Sequence, residues 1–366
     1  MNHRKEPLDD EFFRDIRAVS EAIQIIYHTP IPKELAEILP KQMSKYSMKR
    51  EKNVLERRIR VSFEYADDEF LYVTPVDEVS DECWKIRYNQ LGINDEFTEG
   101  IKEYWRHAQL NLLDVKRNED GTYTPSFIVL EPDYLVDISS LAECYRDYGS
   151  HPANYIMSRL VPIDNARPLL LGNIANLFLD EWIYASEEEP EYLDCMKKVF
   201  KRYPVELAAC EELLDKEKET AFFKDCQMHF EHIRQTVKDT FLEPGYNLDK
   251  SDAVLEPSYI CEALGVQGRL DYMQRDMSSF IEMKSGKADE YAIKGKLEPK
   301  ENNRVQMLLY MAVLEYSMGI DRRKQHPYLL YTRYPLLYPA RASWAQVRRI
   351  IALRNRIVAA EYGTQM

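Results

Sequence analysis

Val266-Gln-Gly-Arg-Leu-Asp271 and, after eight intervening residues, Phe280-Ile-Glu-Met-Lys-Ser-Gly286 decide how this chain is read. Side chains alternate in an extended segment, so Asp271 is expected opposite Leu270 and Tyr272. By the same rule Glu282 and Lys284 share one face, and Ile281 and Met283 the other. The polar run Gln274 to Ser279 suits a hairpin connection. Asp271 and Glu282 are eleven apart, so a hairpin can set their carboxylates side by side. Two carboxylates in one cleft repel, and a divalent cation relieves that repulsion. Oxygen-only ligands favour Mg²⁺ or Mn²⁺ over zinc. A lysine two residues past the second carboxylate reaches the same cleft. There it can orient a water and stabilise charge on a phosphate in transit. This is equipment for phosphodiester hydrolysis.

An E-x-K alternation alone is common on solvated strands, and three further features set this one apart. Gly268 lies where a tight backbone approach before the Asp is useful. Ser285-Gly286-Lys287 ends the strand abruptly. On the next helix Gln306 and Tyr310 fall four apart on one face, while Val305, Leu308, Leu309 and Val313 supply a core stripe. The polar pair is expected to face the site or its rim.

Working outward, helical patterns cover Leu169–Tyr184, Glu191–Phe241 with a break near Pro204, Asn303–Met318 and Ser343 to about Ala360. Strand candidates lie near 268–273, 280–284 and 328–331. Helix, strand pair, helix, strand is an α/β order. Before it, residues 59–137 read as β: Arg60 to Tyr65, Phe70 to Val73, Trp84 to Tyr88 and Phe127 to Leu130, with a turn at Asn118–Gly121. A small barrel interrupted by a helix near Phe97–Ala108 fits. Residues 8–28 repeat Phe12, Ile16, Val19, Ile23 and Ile26 at helical spacing, and a basic stretch from Lys41 to Arg60 follows.

The chain has 366 residues and a formal net charge of −13, which argues against a fragment that clamps DNA tightly and nonspecifically. Its six cysteines are scattered singly, as free thiols in a reducing compartment would be. No apolar run is long enough to span a bilayer and no signal pattern opens the chain, so a cytoplasmic protein with no membrane partner is expected. No phosphate-binding loop is present. His229 and His232, three apart on an acidic helix, read as solvated surface. The 25 tyrosines are mainly core and barrel packing, with base-stacking platforms as the other use.

Gly268-Arg-Leu-Asp271, Ile281-Glu-Met-Lys-Ser-Gly-Lys287 and Gln306-Met-Leu-Leu-Tyr310 resemble motifs II, III and Q-x-x-x-Y of RecB-like nucleases, within the PD-(D/E)XK superfamily. In that group the chain most resembles the nuclease portion of flap-processing replication helicase–nucleases. Tyr134-Leu-Val-Asp-Ile-Ser-Ser-Leu-Ala142 resembles the segment that enters that domain, Leu171-Gly-Asn-Ile-Ala-Asn176 its first motif, and Arg354-Asn355 a pair near its end. The resemblance covers about residues 125–360.

It implies a mixed α/β fold: a restriction-endonuclease-like core with helices around a small mixed sheet, preceded by a barrel-like domain. The organisation expected is a helical segment at 1–58, the barrel at 59–137, the nuclease core at 138–340, and a final helix at 341–366. That helix, with Arg348, Arg349, Arg354 and Arg356, leads toward a motor domain or binds DNA itself. The resemblance further implies that Asp271 and Glu282 hold Mg²⁺ or Mn²⁺ together with the Met283 carbonyl. Lys284 would assist the attacking water, and Gln306 and Tyr310 would position the DNA strand or the lysine. Single-stranded DNA with a free end is the implied substrate, and a helicase module in cis or trans the implied partner.

Two departures matter. The family's first motif supplies a His four residues after its Gly, and here that position is Asn176. Asn ligates a hard cation through its carbonyl, and Asp180, one turn on, can substitute. Relatives often hold an iron–sulfur cluster on four cysteines. Here Asp147 stands at the first of those positions, Cys144 falls three residues short of it, and no Cys follows Cys261. No cluster is expected, and the cysteines are expected to pack as small hydrophobes. A catalytically degraded DNA-binding module and a restriction-type endonuclease on duplex DNA remain the alternatives.

Overall fold

The structure is a computed structural model. It describes residues 56–76, 82–146, 149–161, 167–186, 188–291, 296–341 and 343–363, with scattered positions between 16 and 35. It divides into two compact units, Met1–Val54 and Leu55–Met366. In the first, Ile16, Val19, Ile23 and Ile26 are helical. Phe12 and residues 41–55 of the basic stretch lie outside the described residues.

The second unit opens with a closed five-stranded barrel. Strands β1 (Glu56–Ala66), β2 (Phe70–Pro75), β3 (Trp84–Arg87), β4 (Gln109–Arg117) and β5 (Tyr123–Thr124) run in the order β1-β2-β3-β5-β4, and β1 pairs with β4 to close the ring. Alternation builds it. In β2, Leu71, Val73 and Pro75 are buried and the residues between are not. Val61, Ile86, Leu110 and Leu112 join them inside, each contributing roughly 1.5–3 kcal/mol. The inserted helix is shorter than expected, only α1 (Thr98–Ile101). His107 takes a left-handed φ of 67° and the Phe63 amide captures the Ala108 carbonyl at 2.9 Å, so the chain leaves the helix and enters β4. That closing strand was not among the segments singled out from the sequence. β6 (Phe127–Leu130) pairs with β4 and is buried throughout.

β7 (Val136–Asp137) leads into α2 (Ile138–Ala142), the hairpin β8 (Tyr145–Arg146) and β9 (Gly149–Ser150), and α3 (Pro152–Leu160). Then come α4 (Arg167–Tyr184), α5 (Tyr192–Arg202), α6 (Pro204–Ala209) and α7 (Lys216–Lys238), with the break at Pro204 as expected. Five strands follow: β10 (Ala253–Leu255), β11 (Ser258–Cys261), β12 (Val266–Arg269), β13 (Tyr272–Gln274) and β14 (Ser279–Lys284). After the hairpin β15 (Asp289–Tyr291) and β16 (Lys296–Glu298) come α8 (Glu301–Met318), β17 (His326–Tyr331), β18 (Leu336–Pro339) and α9 (Trp344–Gly363).

The chain is thus mixed α/β, with a barrel and mixed sheets. A five-stranded sheet runs β10-β13-β14-β17-β18, with β14 parallel to β17 and the other pairs antiparallel. It separates two cores. Phe280, Leu329 and Tyr331 join α8 and the barrel in one; Tyr272, Ile281, Met283 and Leu330 join α4, α5 and α7 in the other. β12 belongs to a different sheet, β11-β12-β7.

Two surface readings are corrected. His229 is 1% exposed, because Phe222, Cys226, His229, Ile233 and Thr236 form the buried stripe of α7 at alternating steps of four and three. His232 sets its Nδ1 3.0 Å from the Thr332 carbonyl. Nor is the arginine set of α9 a free basic face. Arg354 is fully buried and donates to the carbonyls of Gly265, Leu130, Glu131 and Tyr134. Arg348 binds Glu96 at 2.8 Å, and Arg356 lies 3.4 Å from Glu103. Arg349 alone of the four is exposed without an ion pair among the described residues. Asn355 donates to the Ile128 carbonyl and accepts from the Leu130 amide, so α9 clamps β6.

Five of the six cysteines are buried free thiols, and Cys83 is exposed. Asp147 lies outside the described residues. Among the described residues, no helix is long and apolar enough to cross a membrane.

Candidate active site

Asp271 stands at a corner. Leu270 enters one core and Tyr272 the other, so the alternation expected around Asp271 is broken where the chain passes from β12 into β13. Three contacts fix the corner. The Met283 amide donates to Asp271 Oδ2 at 2.6 Å. The Glu256 amide donates to the Asp271 carbonyl at 3.1 Å. The Tyr310 hydroxyl donates to the Arg269 carbonyl at 2.6 Å. Gly268 permits this approach: a Cβ there would meet Ile138 at 3.0 Å and the Tyr310 hydroxyl at 3.1 Å.

On β14, Glu282 and Lys284 point together toward α8. Lys284 Nζ donates to Glu282 Oε1 at 2.9 Å and to Gln306 Oε1 at 2.8 Å. Gln306 Nε2 donates to the same Glu282 oxygen at 2.6 Å and lies 3.2 Å from Ser139 Oγ. Glu282 is 4% exposed, and its second oxygen, Oε2, is buried with no hydrogen-bond partner. Such an orphaned oxygen is costly unless something else meets it.

The electrostatics agree. Burial raises the Asp271 carboxyl above its ordinary range, against the Met283 amide and Lys284, which lower it. Burial and then Asp271 raise Glu282, against Lys284 and Gln306. Burial opposes the charge on Lys284, yet Glu282 and Asp271 hold it protonated above its ordinary value. Fully ionised, the carboxylate pair with one lysine would carry a net negative charge; burial and repulsion oppose that state, and a cation would favour it.

α4 forms the facing wall. Gly172, Asn176 and Asp180 share one helix face at steps of four. A Cβ on Gly172 would lie 3.4 Å from Ser285 Oγ, just past Lys284. Asp180 at the other end is raised to about 6 by burial, with Glu256 and Asp271 adding to the shift. Asn176 lies between them, half-buried, in no side-chain hydrogen bond of the described residues.

The structure therefore brings Asp271, Glu282, Met283, Lys284 and Gln306 together. It sets Asn176 and Asp180 on the opposite wall. Tyr310 is fully buried, so it supports the Asp271 corner and cannot touch a DNA strand as one reading of it required. Among the described residues no three His, Cys, Asp or Glu side chains stand close enough to hold an ion. In this arrangement the carboxylate contribution is two, with Asp180 outside it. The donor set still fits a hard cation, because it is all oxygen and includes the orphaned Glu282 Oε2.

Sequence reasoning missed Glu256, Ser139 and Glu143. Glu256 adopts an unusual left-handed φ of 51° beside Asp271 and pairs with Arg269 at 3.3 Å. Ser139 stands in the first turn of α2, capped by Asp137, and Glu143 acts on the Lys284 charge. The Asp-x-Ser-Ser cap was readable as a helix start, but only the fold aims that helix at Gln306. Compared with protein-family models and with curated proteins, the chain matches none, so a functional reading rests on the chemistry of the site itself.

Proposed function

We propose that this chain is a Mg²⁺- or Mn²⁺-dependent deoxyribonuclease of the PD-(D/E)XK, RecB-like type. On this reading the mixed sheet and its helices are a restriction-endonuclease-like core. The substrate is single-stranded DNA or a flap, and a helicase module works with it in cis or trans. One observation carries the reading: the buried Asp271–Glu282 pair, with Lys284 hydrogen-bonded to it and an oxygen left without a partner.

Asp271 and Glu282 would hold the cation, with the Met283 carbonyl, and with Asn176 or Asp180 from the facing wall. When bound, the cation supplies Lewis-acid polarisation of a phosphoryl oxygen and a more acidic water. Lys284, kept protonated, orients the attacking water and meets the charge that builds on the phosphate. Gln306 fixes the lysine, since its amide oxygen and nitrogen bind Lys284 and Glu282 at once. Tyr310 fixes the backbone that delivers Asp271.

Asn176, in place of an imidazole, favours one other reading: a degraded nuclease fold that grips DNA without cutting it. Calorimetric titration with Mn²⁺, followed by incubation with linear single strands, circular single strands and duplex circles, separates these. The proposal expects Mn²⁺ binding that is lost in Asp271→Asn, and cleavage of linear single strands first. DNA binding without metal binding would favour the degraded module. Cutting of duplex circles in preference to single strands would point to a restriction-type enzyme.

A further inference from the structure

A cavity of about 730 Å³ opens where α4 and α7 end, beside the turn at 241–250, and shares no lining residue with the cleft. Small-molecule sites have volumes of this size. Its apolar wall follows from helix periodicity. Trp182 continues the buried row of Phe178 one turn along α4, and Val237 that of Ile233 along α7. Beyond α7 the Glu243-Pro-Gly245 turn, with Gly245 at a φ of 106°, lets Phe241 and Leu248 join the same wall. All four are at most 7% exposed and belong to one core. The indole N–H of Trp182 is buried with no hydrogen-bond partner among the described residues, and an unmet buried donor is costly.

The rim is electronegative. Glu188, Glu189, Glu243 and Asp249 stand there against Lys238 and Lys250, and all six are exposed. Both lysines are already engaged: Lys238 binds Glu189 at 2.5 Å, and Lys250 donates to the Ala185 carbonyl at 3.0 Å. Asp249 accepts the Ser251 amide and hydroxyl, neutral donors that leave its charge in place. The C-termini of α4 at Tyr184 and α7 at Lys238 add partial negative charge. An anion is disfavoured at such a mouth, and a wholly apolar guest would leave the indole unmet.

We infer that this cavity binds a small arylalkylamine. Its aromatic body packs on Phe241 and Leu248, a phenol or carbonyl oxygen accepts the Trp182 N–H, and its protonated nitrogen faces the carboxylates of Glu188, Glu243 and Asp249. Each part of such a molecule answers one feature of the site: an apolar wall, one unmet donor, and surplus negative charge at the mouth. The site holds whether or not the cleft cuts DNA.

The test is an NMR titration of the full chain labelled with ¹⁵N-tryptophan, read at the indole N–H signals of its four tryptophans. Trp182→Phe assigns the relevant signal by its loss. Tyramine is the probe, beside phenethylamine, which lacks the oxygen, and 4-hydroxyphenylacetate, which carries a carboxylate in place of the ammonium. Tyramine should move the Trp182 signal downfield to saturation. It should bind roughly fivefold more tightly than phenethylamine, the worth of one neutral hydrogen bond, and the acid should bind most weakly. Saturation transfer to the probe gives affinities in the variants. Trp182→Phe should lower tyramine to the level of phenethylamine, and Glu243→Lys, a change at an exposed side chain, should weaken both amines by roughly threefold or more. The inference is overturned if tyramine leaves the Trp182 signal in place, if the acid binds as tightly as the amine, or if folded Glu243→Lys protein binds tyramine as wild type does.

Discussion

Glu282→Gln is predicted to stabilise the metal-free protein while abolishing its response to metal. The glutamate is 4% exposed, shares a buried site with Asp271, and leaves Oε2 without a partner. Gln keeps the shape. Its amide oxygen can accept the two bonds now made by Lys284 Nζ and Gln306 Nε2, and its neutral side chain removes one of the two buried carboxylates. The substitution leaves one carboxylate for one lysine. Relief of the cost of burying a second carboxylate and of its repulsion from Asp271 is on the order of 1–3 kcal/mol. At about 0.7 kcal/mol/K of unfolding entropy for a unit of this size, the melting temperature should rise by roughly 1–4 °C. Mn²⁺ at a hundredfold excess over its dissociation constant should stabilise wild type by about 2.7 kcal/mol, or about 4 °C. The variant should show no such rise. Differential scanning calorimetry in EDTA and in Mn²⁺ reads both effects. A variant that melts below wild type in EDTA, or keeps the Mn²⁺ shift, would refute the reasoning.

Three more outcomes follow from the structure. Burial depresses the His229 pKa, so the unfolded state binds the extra proton first; stability should be intact above about pH 6.5 and decline as pH falls below it. His229→Leu should flatten that decline in thermal melts between pH 7.5 and 5, and an unchanged slope would show that another group sets it. Arg354→Met takes the guanidinium from the carbonyls of Gly265, Leu130, Glu131 and Tyr134, of which Gly265 and Glu131 keep the Val136 and Tyr134 amides; a loss of roughly 2–5 kcal/mol in urea melts is expected, and a loss under 1 kcal/mol would mean that the barrel does not depend on this clamp. Protein purified without oxygen should be colourless and free of stoichiometric iron and acid-labile sulfide, whereas brown protein with iron would show that cysteines other than the expected set hold a cluster.

Much of the scaffold was legible because period and punctuation agree along it. Leu169–Tyr184 and Asn303–Met318 read as helices from their apolar repeats, and Pro204 marks a real break. The shared face of Glu282 and Lys284 follows from alternation on β14, and their contact with Gln306 fits the polar face expected on α8. What could not be read was set by the third dimension. The alternation rule fails at Asp271 because the chain changes sheets there, and no local pattern announces such a corner. Glu256 is brought to the site by the fold, where its amide binds the Asp271 carbonyl and its carboxylate pairs with Arg269. His229 was misread because the helix as a whole is rich in charge, although the residues three before and four after it, Cys226 and Ile233, are buried with it. Arg354 was counted with Arg348, Arg349 and Arg356 as one basic set, and is instead the buried donor that joins β6 to α9.

The central claim is that Lys284 and the Asp271–Glu282 pair form one hydrolytic site. Single-turnover cleavage of an end-labelled single strand in Mg²⁺, comparing wild type with Lys284→Ala, tests it most directly. Loss of preorganised charge stabilisation is worth roughly 3–4 kcal/mol, so the variant, assayed at a temperature where it is folded, should cut about a hundred to a thousand times more slowly. Equal cleavage by the two proteins, or a folded wild type that binds Mn²⁺ and cuts no DNA, would contradict the account.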